Sequence, residues 1–285
     1  MPLSRALLDE LFRPRWAGGW AISRVLFALA AIDAQIGRFP HVRDALAAPT
    51  IVFNAGPAHI ADHVLFSPVA AWGVWGLGFA GLFGLFRGGS FAKPGLWVWA
   101  LSYAALVAGC GLNVRVPERF IVWAVVALSV APIGEPGLLK KDASPFARYL
   151  LLVVFGSLYL STGLMKSLEE PHWWDGTALA YDLVDRWHAG GPLAVFLSGQ
   201  PILVWMASVY TLVFEVGFVF AILWPRWSKW VLLMGVGMHL GIGSLMDIGP
   251  LGAMVLSLYP VLLNPEDGRR LWRALASRSP ARLGA

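Results

Sequence analysis

Lys166 ends the stretch Tyr159-Leu160-Ser161-Thr162-Gly163-Leu164-Met165-Lys166 and is followed by Ser167-Leu168-Glu169-Glu170-Pro171. Thr162 lies four residues back and Tyr159 seven, so on a helix the three polar groups share one face. An amine sheltered from water in such a place is a usable base. It can equally snorkel to a nearby interface and act only as an anchor. His239 stands in a later apolar run that approaches the same side. It reads either as a proton-transferring or orienting group or as a satisfied core histidine.

Three further ionisable residues sit within apolar runs: Arg24 and Asp33 in the first, Glu215 in another. Charge at such depth is costly and calls for a partner or a function. Arg24 and Asp33 are separated by about 13.5 Å of helix rise and cannot pair with each other. Each needs a partner elsewhere, and Glu215 is a candidate for Arg24. The plain reading of Arg24, Asp33 and Glu215 is structural, as intramembrane ion pairs that lock helices. Asn113 and Arg115 close another run.

Metal chemistry has weak support. His59-Ile60-Ala61-Asp62-His63 spaces two imidazoles at i and i+4, but the glutamate of the metalloprotease motifs is absent and no third ligand is evident. No metal site is expected, and an interfacial helix face explains the pair. The single cysteine, Cys110, lies in an apolar run and reads as a core or lipid-facing thiol.

The elements that must position these groups follow from composition. Of 285 residues, 58% are hydrophobic and 14% charged, and the mean hydropathy is +0.65. Charges this sparse cannot cover a globular surface of that size, so lipid must cover much of it. Apolar runs lie near 17–36, 68–86, 95–113, 119–134, 146–166, 201–224, 229–246 and 248–263, with the fourth and eighth short for a roughly 30 Å layer. Prolines at the edges (Pro68, Pro94, Pro117, Pro145, Pro201, Pro225) support these boundaries. The expected fold is an all-α, polytopic membrane bundle of about eight transmembrane helices forming one domain over 1–285, with no room for a separate soluble domain.

With eight spans, 15 of the 22 basic residues fall on one side and six on the other, Arg24 being inside a span. That excess predicts both termini in the cytoplasm and places the site at the outer, periplasmic side of a bacterial inner membrane. Residues 1–16 read as an interfacial amphipathic segment, not a cleavable signal peptide. Residues 264–285 form a basic cytoplasmic tail suited to anionic lipid. The segments near 37–67 and 167–200 are expected to lie on or dip into the outer leaflet. Glycines in the second and seventh runs permit close helix packing. The net charge of +5 comes from loops and tail and does not imply nucleic acid.

The stretch Ser161-Thr162-Gly163-Leu164-Met165-Lys166-Ser167-Leu168, followed by Trp173-Trp174-Asp175-Gly176-Thr177-Ala178-Leu179, resembles the horizontally transferred transmembrane domain. That is the membrane domain of vitamin K-dependent gamma-carboxylase and its bacterial relatives. The family pattern is Gly-x-x-Lys at a helix end, a short acidic spacer, then Trp-x-Gly or Trp-x-x-Gly. Met238 to Gly249, then Pro260 to Glu266, look like the family's histidine-bearing helix and the span after it. Arg24-Val25-Leu26-Phe27 through Asp33 and Arg38 fit its first helix.

The resemblance implies a membrane enzyme, of carbon–carbon lyase or oxidoreductase type, that acts on a lipid-soluble quinone such as reduced vitamin K or menaquinol. In the carboxylase, the second lysine of a Lys-Lys pair is understood to deprotonate the reduced quinone. Met165-Lys166 stands at that pair, so Lys166 matches the base and His239 a supporting group. Tyr159, Thr162, Trp173, Trp174 and Gly176 would bind the quinol or shape the pocket rim. Oxygen and carbon dioxide are implied co-substrates: epoxidation generates a strong base that deprotonates or carboxylates a peptide or protein substrate at the outer face. The carboxylase also carries a large region outside the membrane, so glutamate carboxylation is not inherited with the motif. The alternative is a non-enzymatic accessory protein for the maturation, secretion or immunity of a partner peptide. A transporter is disfavoured, since no paired broken helices are visible.

Overall fold

The computed structural model of the chain describes residues 9, 12–37, 39–42, 68–109, 116–185, 191–246 and 250–278. It is all-α apart from one two-residue pairing, and it divides into two compact units, 20–138 and 1–19 with 139–285. Each of the eight apolar runs contains a helix.

The first unit holds most of α1 (Gly18–Gly37), then α2 (Pro68–Arg87), α3 (Ala92–Gly109) and α4 (Val116–Val130). α2 and α3 form a hairpin turned by Gly88 and Gly89, whose φ angles of 80° and 62° suit glycine. The hairpin closes backbone to backbone. A Cβ on Gly95 would sit 2.6 Å from the Leu85 nitrogen, and one on Gly81 2.7 Å from the Gly95 oxygen. Trp99, fully buried, meets Phe27 edge to face.

The second unit is built on α5 (Phe146–Leu168), α8 (Pro201–Leu223), α9 (Pro225–Leu245) and α10 (Leu251–Leu262). These four pack in a ring, α5 on α8, α8 on α9, α9 on α10 and α10 on α5. Between α5 and α8, a turn at Pro171–Trp173 and the short helices α6 (Thr177–Asp182) and α7 (Pro192–Ser198) form a cap. Its apolar contacts are Leu183 and Ala194 against Val204, Leu245 and Met246. A final helix, α11 (Pro265–Arg278), follows α10. Residues 15 and 16, expected within an amphipathic segment, are instead extended as β1 (Arg15–Trp16) and pair antiparallel with β2 (Asp142–Ala143). The reason lies in Trp16, whose indole donates to the Leu139 carbonyl and packs where Gly18 and Gly268 leave space.

Among the described residues, four helices are long and apolar enough to cross a membrane: α1, Val69–Arg87 of α2, α5 and α8. The 12 residues of α10 rise only about 18 Å and cannot cross alone. α8 exposes Ile202, Leu203, Trp205, Met206, Val213, Phe220 and Leu223, an apolar strip that suits acyl chains better than water. The chain is an integral, multi-pass membrane protein.

Candidate functional site

Lys166 lies in the last turn of α5, with its ammonium turned into the protein. Nζ donates to Oε1 of Glu215 on α8 at 2.7 Å, and the two side chains are 18% and 8% exposed. On another side, Nζ stands 4.5 Å from the ring centroid of Trp173, within cation–π range. Of the two roles open to Lys166 on sequence, the geometry is that of a sheltered, paired amine and not of an anchor reaching outward.

Two glycines bring these partners together. Gly163, in the turn before Lys166, faces α8 so closely that an added Cβ would lie 2.9 Å from the Glu215 Cβ and 3.0 Å from the Val216 nitrogen. Gly176 has φ 84°, and a Cβ there would meet the Trp205 backbone at 2.9 Å. It turns the chain into α6 and presses the cap against α8. The glycines of the Gly-x-x-Lys and Trp-x-Gly patterns are therefore close-approach points.

The two tryptophans have different surroundings. Trp173 is buried, its indole donating to Glu170 Oε2 at 2.8 Å and its carbonyl accepting from Ser208. Trp174 is half-exposed and donates to the Ser167 carbonyl at 2.9 Å. Of the three residues expected at the pocket rim, Trp173 lies against Lys166, Trp174 is half-exposed, and Gly176 presents its backbone to α8. In the same loop, the Thr177 backbone N–H donates to Asp175 and holds its carboxyl below the usual range.

A second polar cluster lies where the four-helix ring closes. The Tyr159 hydroxyl shares a 2.6 Å hydrogen bond with His239 Nε2 and a 2.9 Å one with the Tyr259 hydroxyl. Tyr159, His239 and Tyr259 come from α5, α9 and α10 and are all buried. α8 supplies Phe214 and Phe218, whose ring centroids lie 5.0 and 4.6 Å from that of Tyr159. The hydroxyl chain can run from Tyr259 through Tyr159 to Nε2 or in reverse, depending on which imidazole nitrogen carries the proton. Gly235 of α9 opposes the Tyr259 hydroxyl, and a side chain there would displace it.

Within these two clusters, Glu215 Oε2 and His239 Nδ1 have no hydrogen-bond partner among the described residues, as is also true of Ser23 Oγ, Gln35 Oε1 and Trp99 Nε1 in the first unit. Thr162 is close enough to bear on the Glu215 carboxyl, yet its hydroxyl is directed to the Leu158 and Tyr159 carbonyls. Buried polar atoms are rarely orphaned.

Arg24 finds its hydrogen-bond partners within its own unit, as Glu215 does in Lys166. Its Nη1 donates to the carbonyls of Leu85 and Phe86 at 2.5 and 2.6 Å, capping the end of α2. Asp33 is exposed on α1. His59, Asp62, His63, Cys110, Asn113 and Arg115 lie outside the described residues. Among those described, no cluster of three His, Cys, Asp or Glu could hold a metal. Sequence reasoning missed Tyr259, whose only signal was a tyrosine amid an apolar run, and the Lys166–Glu215 partnership, signalled by two opposite charges left over in apolar runs.

One family model matches: the HTTM domain, over residues 120–266, just over half of the chain. It covers α5 and α8 to α10 whole, with every residue of both polar clusters. Comparison with curated proteins finds no match, and neither does comparison with solved structures.

Proposed function

The chain belongs to the HTTM domain family, the membrane domain family of vitamin K-dependent gamma-carboxylase, and from that premise we propose that it is a membrane enzyme acting on a reduced quinol, with Lys166 as the base. The observation that carries this reading is the Lys166 amine, sheltered between the Glu215 carboxylate and the Trp173 ring at the end of α5.

The surrounding residues fit a reduced vitamin K or menaquinol. Trp173 offers an aromatic face, Glu215 Oε2 a buried oxygen free to accept, and His239 Nδ1 a second unsatisfied atom. When bound, the quinol supplies an acidic hydroxyl and the electrons for reaction with oxygen. Once the ammonium has passed a proton to Glu215 along the 2.7 Å hydrogen bond, the Lys166 amine can accept the hydroxyl proton. Glu215 is thereby the second half of the base. Trp173 covers the amine and keeps water from it. Tyr159 lies seven residues before Lys166, about 10.5 Å along α5, so its chain to His239 and Tyr259 serves as a separate proton reservoir or orienting group. Deprotonation or carboxylation of a peptide, with carbon dioxide as co-substrate, is the second half-reaction in this reading. The reading places the site at the outer side of a bacterial cytoplasmic membrane.

A non-enzymatic accessory role is the second reading, favoured by the same bridge, since Lys166–Glu215 ties α5 to α8 as a structural lock would. The test uses protein in lipid nanodiscs with reduced menaquinone or vitamin K and oxygen, and mass spectrometry of the product. Wild type is compared with Lys166→Ala and with Lys166→Met/Glu215→Leu, which replaces the pair by apolar volume and keeps the helices packed. Epoxide from the wild type and none from a folded double variant supports the enzyme. A well-folded wild type that makes no epoxide from either quinol sinks it, and the accessory role then leads.

A further inference from the structure

The C-terminal helix builds a cleft of a different character. About 340 Å³ in volume, it is lined by Trp16, Lys140, Arg269, Trp272 and Arg273. β1, the Leu138–Lys140 turn and α11 thus converge on one basic and aromatic recess. Arg269 is held by Asp142. Among the described residues, Lys140 and Arg273 form no ion pair. Glu266 and Asp267 occupy the first turn of α11 and do not line the cleft.

The elements around the cleft also carry exposed apolar side chains. Leu271 and Leu275 are each 55% exposed on a different face of α11 from the lining residues. Phe146, the first residue of the candidate span α5, stacks on Phe12, and both are half-exposed. A free inorganic anion would satisfy the cations and leave this surface bare. A phospholipid satisfies both, its phosphate on Lys140 and Arg273 and its chains along the exposed Phe12–Phe146 pair at the start of α5.

We propose that this cleft is a binding site for the phosphate of an anionic phospholipid at the membrane surface beside the start of α5. The tryptophans wall the recess, and Asp142 fixes Arg269 so that its guanidinium is pre-aimed. The site is independent of the quinol reading and lies among the residues at the opposite end of α5 from Lys166.

The test is titration of delipidated full-length protein in mild detergent with phosphatidylglycerol, phosphatidylcholine or inorganic phosphate. Bound lipid is read by native mass spectrometry and melting temperature. Phosphatidylglycerol is expected to bind and raise the melting temperature, and phosphatidylcholine not. Lys140→Gln/Arg273→Gln should weaken phosphatidylglycerol binding about thirtyfold, the effect of losing two basic residues near an anionic surface. Arg226→Gln/Lys229→Gln, outside the cleft, should leave it unchanged. Lys140→Arg/Arg273→Lys, which keeps the charge, should retain binding, separating lost affinity from a lost fold. Equal weakening in both glutamine variants overturns the site in favour of a general surface field. Full competition by inorganic phosphate shows an adventitious ion only.

Discussion

Gly163 and Glu215 meet where a methyl group would not fit: a Cβ built on Gly163 falls 2.9 Å from the Cβ of Glu215. That approach lets a glutamate on α8 reach the amine of Lys166, one turn along α5. The glycine of the Gly-x-x-Lys pattern is thus a spacer for the lysine's counter-charge.

Gly163→Ala should push α5 and α8 apart at the bridge. The expected loss is about 1–3 kcal/mol of stability, the usual cost of overpacking, with a larger fall in any Lys166-dependent turnover. Gly176→Ala should cost about 1–2 kcal/mol from its left-handed backbone alone, with further cost from Trp205. Thermal melts in detergent measure both, and a neutral Gly163→Ala would refute the spacer role.

Lys166→Ala and Glu215→Ala each strand one buried partner, and each should destabilise by about 3–5 kcal/mol. The apolar double variant Lys166→Met/Glu215→Leu should recover most of that loss. A cycle of melting measurements reads the coupling. Additive single effects would mean that the 2.7 Å contact does not hold in solution.

Tyr159→Phe removes the hydroxyl that joins His239 to Tyr259, leaving Nε2 without a partner at a cost of about 1–3 kcal/mol. Tyr259→Phe leaves the bond to His239 in place and should cost about 1 kcal/mol. The predicted order is therefore Tyr159→Phe worse than Tyr259→Phe in melting temperature, and the reverse order would displace Tyr159 from the centre of the cluster.

Arg148 donates from its guanidinium to the Val261 and Leu262 carbonyls at 3.0 Å each, capping α10. Arg148→Ala should cost about 1–3 kcal/mol by stranding charged hydrogen bonds. Arg148→Lys should restore only part, because an ammonium cannot fork across two carbonyls as the guanidinium does. Equal behaviour of the two variants would contradict the cap.

Much of the helical layout was legible in the sequence. Residues 146–166 and 201–224 read as helices and form α5 and α8, because apolar length and edge prolines are local properties. Lys166 stood out for the same reason: a lysine at an apolar run's end is visible without any neighbour. Residues 15 and 16 were not legible, since their extended form depends on Asp142 and Ala143 far along the chain.

By itself, the sequence determined that this chain lives in lipid and singled out Lys166 and His239 as polar groups in or at the end of apolar runs. Only the tertiary structure decided what satisfies them. Lys166 meets Glu215 across 49 residues of chain, and Tyr159 meets His239 across 80. Such pairings follow from which helices become neighbours, and apolar patterning alone does not encode that choice. Close approach does, through glycines such as Gly163, which meets α8, and Gly235, which leaves room for the Tyr259 and Phe214 rings. Their role becomes visible only when the opposing helix is in place.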